Sequence, residues 1–216
     1  MPWKNSQEGG VMKEKPILFN TEMVQAILEG RKTQTRRVIK PQPKIDKTGN
    51  LIWGKWNYGQ NTIGPHIYNV IKKCPYGKIG DRLWVRETWK ATQQYPAPGN
   101  FAEKIKVEYR AGGEAWFEKG KWKSPFRLTE VWRPSIHMFR WSSRINLEIT
   151  NIRVERVQEI SEEDAKAEGI ELSCALYGYP CYKKTFHELW DSINKKRGYS
   201  WDSNPWVWVV EFKRQQ

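Results

Sequence analysis

The run Ile145-Asn-Leu-Glu-Ile-Thr-Asn-Ile-Arg-Val154 places apolar side chains at 145, 147 and 149, and again at 152 and 154. Such alternation turns every second residue to one face, so the run reads as one long strand with a buried side. Just downstream, Ser161-Glu-Glu-Asp164 has the form of a capping box, with Asp164 where Glu is more usual. A short helix is therefore expected over Ala165 to Glu168, stopped by Gly169. Phe186, Leu189, Trp190 and Ile193 recur at helical spacing and predict an amphipathic helix ending near Gly198. Trp206-Val-Trp-Val-Val-Glu-Phe212 is almost continuously apolar and reads as a buried closing strand.

The same reading extends toward the N-terminus. Residues 1–14 look like a disordered tail, with Gly9-Gly10, mixed charge and little to bury. Pro16-Ile-Leu-Phe19 is a short strand. Asn20 or Thr21 can cap a helix carrying Met23, Val24, Ile27 and Leu28, which ends at Gly30. Arg31 to Ile39 is then extended, rich in β-favouring residues, until Pro41 and Pro43. Gly80-Asp81 precedes Arg82-Leu-Trp-Val-Arg-Glu-Thr-Trp89, where Leu83, Val85 and Glu87 face one way and Trp84, Arg86 and Thr88 the other. Two stretches read as elaborations. In 44–80, Leu51–Trp53 and Ile67–Ile71 are strand candidates. In 93–139, a Pro/Gly loop precedes a hairpin of Ile105–Tyr109 and Ala115–Trp122 across Gly112-Gly113. Arg133 to Arg144 is irregular, basic and aromatic. Many short strands with two or three small helices predict a mixed α+β fold: a small β-barrel of residues 16–39, 81–89, 145–157 and 205–213 with flanking short helices.

The chain has 216 residues, which predicts a single domain over 15–216. It carries 37 Lys+Arg against 24 Asp+Glu, a formal charge of +13, so anionic partners are expected, nucleic acid first. Thirteen Trp are far more than usual; most belong to the core, and a few can serve as stacking platforms for bases. Cys74, Cys174 and Cys181 are odd in number and form no CxxC pair, which argues against a disulfide framework or a structural zinc site. No run is apolar enough to span a membrane, and Met1 to Val11 has no apolar signal region, so a cytoplasmic protein is expected.

Gly30-Arg-Lys-Thr-Gln-Thr-Arg-Arg37 is the densest functional signal. Residues 31–47 hold seven basic side chains and one acid, net +6. In an extended 33–39 segment, Thr33, Thr35 and Arg37 share a face, and Lys32 at the turn can reach toward Thr35. A buried Lys with a lowered pKa can deprotonate a neighbouring hydroxyl; a solvated basic strand edge is the alternative reading. Residues 158–171 hold six acids and one Lys, net −5, with Glu168 at the helix end just before Gly169.

Ile27-Leu-Glu-Gly-Arg-Lys-Thr-Gln-Thr-Arg36 resembles the G-x-K-x-x-T-x-R signature of the ASCH family of the PUA-like superfamily, with Gly30, Lys32 and Thr35 in place and Arg36 beside the last position. Gly80 to Glu87, Ile160 to Ile170, Phe186-x-x-Leu-Trp190 and Trp206 to Phe212 are similar to later elements of that family. The resemblance covers about 16–92 and 140–214, and the whole chain resembles the larger ASCH-like proteins of phages and prophages. It implies a small barrel with a cleft for a nucleoside or nucleic acid, RNA more than DNA, and no metal or other cofactor. Some small ASCH proteins hydrolyse the acetyl amide of N4-acetylcytidine; their catalytic set matches Lys32 as base, Thr35 as nucleophile and Glu168 as proton donor. This chain is considerably longer than those enzymes. A non-catalytic nucleic-acid-binding module is the alternative, and a phage protein engaging a host protein a third.

Substrate or nucleic-acid contacts are expected from Arg31, Arg36 and Arg37 in the basic segment, and from Arg140 and Arg144 toward phosphate. Trp141 and Trp89 are stacking candidates. Glu87 either faces the cleft or pairs outward with an Arg, and His137 is a further acid/base candidate.

Overall fold

The computed structural model describes residues 12–45, 47, 50–53, 56–60, 70–94, 104–118, 130–171, 175–176 and 179–215. Its elements are β1 (Glu14–Leu18), α1 (Thr21–Leu28), β2 (Gln34–Val38), β3 (Lys44–Ile45), β4 (Asn50–Trp53), β5 (Trp56–Gln60), β6 (Arg82–Arg86), β7 (Trp89–Gln94), β8 (Lys104–Tyr109), β9 (Glu114–Glu118), β10 (Asn146–Arg156), α2 (Glu162–Ala167), β11 (Ala175–Leu176), β12 (Tyr179–Pro180), α3 (Tyr182–Asn194) and β13 (Trp206–Gln215). The fold is mixed α+β.

Five strands form the central sheet in the order β1-β6-β10-β13-β2. β1 runs parallel to β6, and the other neighbours are antiparallel. β10 shows why its apolar pattern changes phase. The register against β13 slips between Ile149 and Asn151, a β-bulge that moves the inward positions from 147 and 149 to 152. β13 is apolar over Trp206–Val210 and again at Phe212 because both of its faces are covered there. Trp208, Val210 and Phe212 enter the main core with Leu83, Val85, Leu147 and Ile149. Val207 and Val209 face a helical layer built on Ala165, Phe186 and Trp190. Burying each such side chain contributes roughly 1.5–3 kcal/mol.

The expected barrel is corrected to an open sheet. β1 and β2 are its two edges and share no ladder among the described residues. The chain crosses between them as α1, whose Val24 and Ile27 fill the core, and Arg37 donates to the Leu18 carbonyl at 2.6 Å across the gap. Asn20 caps α1 by accepting from the Met23 amide, and Gly30 takes the positive φ that ends it. Ser161 likewise accepts from the Asp164 amide to open α2, with Glu168 and Gly169 closing it.

Both elaborations carry sheets of their own: β3-β4-β5 in the first, β7-β8-β9 in the second. The hairpin across Gly112-Gly113 forms over 104–118, and residues 119–122 lie outside the described residues. The second sheet packs on a separate cluster of Trp89, Ile105, Val107, Tyr109 and Met138. The strand expected at Ile67–Ile71 is corrected at its described end. Val70 and Ile71 open a helical turn, with the Lys73 amide donating to Val70 at 2.9 Å; 67–69 lie outside the described residues, as does the expected tail through residue 11. That tail is shorter than expected at its other end, because Glu14 already pairs with Arg82 in β1.

Candidate functional site

The chain returns from α2 directly alongside the start of β2. Lys32 and Glu168 form an antiparallel bridge, and the Thr33 amide donates to Ala167 at 2.9 Å. This backbone pairing brings together residues more than a hundred positions apart. Gly169 makes the approach possible: a Cβ on it would sit 2.8 Å from Cβ of both Ala26 and Lys32.

Lys32 Nζ donates to Glu168 Oε2 and to the Glu168 carbonyl, both at 2.8 Å. The Lys32 side chain is wholly enclosed and that of Glu168 is 5% exposed. Burial pushes the Lys32 ammonium below its ordinary value, with the Glu168 charge acting against the shift. Arg36, also fully enclosed, donates to Asp164 at 2.7 Å, Glu155 at 3.1 Å and Glu168 at 3.4 Å. Asp164 also accepts from Gln34 and Arg153. Burial works against the Asp164 charge, but Arg36, Gln34 and Arg153 hold its carboxyl below the usual value. Arg36 thus spends its charge mainly on Asp164 and Glu155, leaving Glu168 to Lys32.

A cavity of about 620 Å³ lies against β2, within the size range of small-molecule sites. Thr35, Arg36, Arg37 and Glu168 form one wall, and α3 contributes Phe186, Leu189 and Trp190. The first elaboration supplies Trp53, Lys73 and Tyr76. Thr35 is opposite Val210 in the ladder and so points to the side of Trp208, which also lines the cavity. No side-chain hydrogen bond within the described residues occupies the Thr35 hydroxyl. A second cavity of about 230 Å³ shares Met23, Glu168 and Leu189 with the first, so Glu168 lies at the junction of the two.

The structure therefore places Lys32 against Glu168, and Thr35 and Glu168 on one cavity wall with Arg36 and Arg37. The other sequence candidates lie elsewhere. Arg31 pairs with Glu29 and Glu171 at the surface. Glu87 is enclosed and takes two hydrogen bonds from Arg144, each 3.0 Å. Burial raises the Glu87 pKa, with Arg144 opposing. Arg144 lies over the Tyr109 ring at 4.0 Å, and the Tyr109 hydroxyl donates to the Ser142 carbonyl. Trp89 and Trp141 meet edge-to-face at 6.1 Å in the second elaboration's cluster. Arg140 binds Glu14 and Asn146, and His137 is exposed in a single 3-10 turn. None of these seven lines the cavity.

Sequence reading missed Trp53, Tyr76, Lys40 and Arg197 as cavity residues. Two of them had a usable signal: Lys40 belongs to the basic segment 31–47, and Arg197 to the basic run Lys195-Lys196-Arg197 just after α3. Among the described residues, no three His, Cys, Asp or Glu converge as a metal site, and no helix is long and apolar enough to cross a membrane. No protein-family model, curated protein or solved structure matches the chain.

Proposed function

We propose that the protein is an ASCH-type hydrolase that cleaves the acyl amide of a modified nucleoside, N4-acetylcytidine being the model substrate, free or within RNA. The observation that carries this reading is the enclosed Lys32–Glu168 pair at 2.8 Å, whose Glu168 lines the cavity wall that also holds Thr35. Moving one proton along that contact leaves a neutral amine and a carboxylic acid, the base and acid that amide cleavage needs. Lys32 then takes the Thr35 proton as Oγ bonds to the amide carbon. Glu168 protonates the departing nitrogen as the C–N bond breaks. Water cleaves the resulting Thr35 ester, releasing the carboxylate and restoring the hydroxyl. Trp53 and Tyr76 offer aromatic faces for the base. In this reading the open sheet is an unclosed relative of the PUA-like barrel, its edges β1 and β2 bridged by α1 and Arg37 and, among the described residues, not by a ladder, and the protein works in the cytoplasm.

One observation favours a second reading, a binding module without turnover. The Lys32 side chain is enclosed behind Glu168, as in a purely structural ion pair. Incubation with N4-acetylcytidine, alongside acetylated and unmodified RNA and DNA, separates the two. Mass spectrometry showing loss of the acetyl group, abolished by Thr35→Ala, supports the hydrolase. Binding with every amide intact overturns it in favour of the module.

A further inference from the structure

The cavity is charged in one direction. Its wall carries Arg36, Arg37, Lys40, Lys73 and Arg197 against one carboxylate, Glu168. Arg36 is surrounded by Asp164, Glu155 and Glu168, and Glu168 is taken up by Lys32. Arg37, Lys40 and Arg197 have no carboxylate partner among the described residues. Arg37 is nevertheless held in place. It donates to the Leu18 carbonyl at 2.6 Å and lies over the Phe19 ring at 5.1 Å, while its Nε is buried without an acceptor. Lys40 sits over the Tyr199 ring at 5.3 Å. Burial lowers the Arg37 pKa; Tyr76 and Glu168 act against the shift and the Arg197 charge adds to it. Cations held this way beside a cavity, with a buried N–H unsatisfied, are matched by an anion with several acceptor oxygens.

We propose that Arg37, Lys40 and Arg197 form a phosphate subsite, so that the cavity takes a nucleotide and discriminates against the free nucleoside. This rests on reading the cavity as a nucleoside site and names the chemistry at its rim. The phosphate is either the monoester of a free mononucleotide or the diester of an RNA chain; both present the same anionic oxygens beside the ribose.

Isothermal titration calorimetry with cytidine, cytidine 5′-monophosphate and a short cytidine-containing oligoribonucleotide tests it. Each is titrated into the intact protein and into Arg197→Gln and Arg37→Gln. Arg197 is exposed at a helix end, so its variant keeps the test meaningful if Arg37→Gln misfolds. The expected result is at least about tenfold tighter binding of the monophosphate than of cytidine, with the ratio collapsing in Arg197→Gln. Tighter binding of the oligonucleotide than of the monophosphate assigns the diester; weaker binding assigns the monoester. Equal affinity for cytidine and its monophosphate, no binding of the monophosphate, or a ratio unchanged in the variants overturns the subsite. A parallel assay compares N4-acetylcytidine with its 5′-monophosphate. Phosphate-dependent binding without deacetylation of either defeats the hydrolase and leaves the subsite standing. Deacetylation of both at equal kcat/KM defeats the subsite and leaves the hydrolase standing.

Discussion

Two enclosed glutamates, each paired with a cation, sit in different parts of the molecule. Glu168 meets Lys32 at the edge of the central sheet, and Glu87 meets Arg144 within the cluster of the second elaboration. Their own exposure is nearly the same, 5% and 1%. Their surroundings differ. Glu168 opens onto two cavities and shares a wall with a threonine hydroxyl that no side-chain hydrogen bond holds, while its partner is a lysine, which can lose a proton. Glu87 is closed in by an arginine, which cannot, and that arginine is itself packed on Tyr109. A buried ion pair is therefore poor evidence of a site by itself. Access to a cavity, a transferable proton and an available nucleophile distinguish the two.

The widest separation is expected in turnover. Thr35→Ala removes the proposed nucleophile and Lys32→Arg replaces a titratable base by a permanent cation. Each should lower deacetylation by about three orders of magnitude or more. Arg144→Met should leave kcat/KM unchanged in the folded protein. An active Thr35→Ala enzyme would remove the mechanism.

In stability the order reverses. Arg144→Met strands an enclosed carboxylate and should cost about 3–5 kcal/mol in urea unfolding. Adding Glu87→Leu should recover most of it, because an apolar pair of similar volume replaces an ion pair at little net cost. Failure of the double variant to recover would show that Glu87 has a role beyond pairing.

Two glycines sharpen the contrast further. Gly169 and Gly113 both have positive φ, +82° and +83°. Alanine at either should cost about 1–2 kcal/mol in backbone strain. At 169 the new Cβ also meets Ala26 and Lys32 Cβ atoms at 2.8 Å, so Lys32 must shift. At 113 it meets only the tip of the Arg144 side chain at 2.7 Å, which can swing away. Gly169→Ala should therefore lose activity as well as stability, and Gly113→Ala stability alone.

The pH responses oppose one another. The proposed base and acid share one proton on the Lys32–Glu168 pair, so kcat/KM should fall as pH rises past a midpoint below the ordinary lysine value of 10.5, where that proton is lost and Glu168 can no longer act as the acid. For stability, Glu87 has a raised pKa. Its folded form holds the proton more tightly, so that contribution is present below 4.5 and is lost as pH rises through the raised value. Asp164 has a lowered pKa. Its contribution is present above 3.8 and is lost as pH falls through the lowered value. Urea midpoints across the acid range should lose the first trend in Glu87→Gln and the second in Asp164→Asn.

Local signals carried most of the elements. Asn20 and Gly30 bracket α1, Ser161 and Gly169 bracket α2, and the phase change at Ile149–Ile152 is the bulge in β10. What failed was long-range. Barrel closure depends on whether β1 and β2 meet, which neither strand's own pattern contains. Val70-Ile71 is too short an apolar run to distinguish strand from helical turn. The alternation in 82–89 puts Glu87 on one face with Leu83 and Val85, and all three are buried. Of the two readings of Glu87, the arginine pairing is found, but enclosed and not outward, and the alternation does not pick out Arg144 as the partner. The pairing of Lys32 with Glu168 was anticipated through the ASCH resemblance, and spacing alone does not imply it. Asp164 was read only as a helix-capping residue, and its carboxylate proves to anchor Arg36 as well.

The smallest expected effect concerns Arg31, next to Lys32 in the chain and grouped with it by charge density. Its guanidinium lies 2.5 Å from Glu29 and 2.9 Å from Glu171, and it donates to the Gly169 carbonyl at 3.0 Å. Both carboxylates are largely exposed, where such pairs contribute at most about 1 kcal/mol and weaken with salt. Arg31→Ala should therefore shift the urea midpoint slightly, by less at high salt, and leave both cytidine monophosphate binding and deacetylation unchanged. Arg37→Gln, six positions along, should weaken the monophosphate by about tenfold. If Arg31→Ala weakened it equally, charge density along the chain, and not placement on the cavity wall, would determine which arginines meet the ligand.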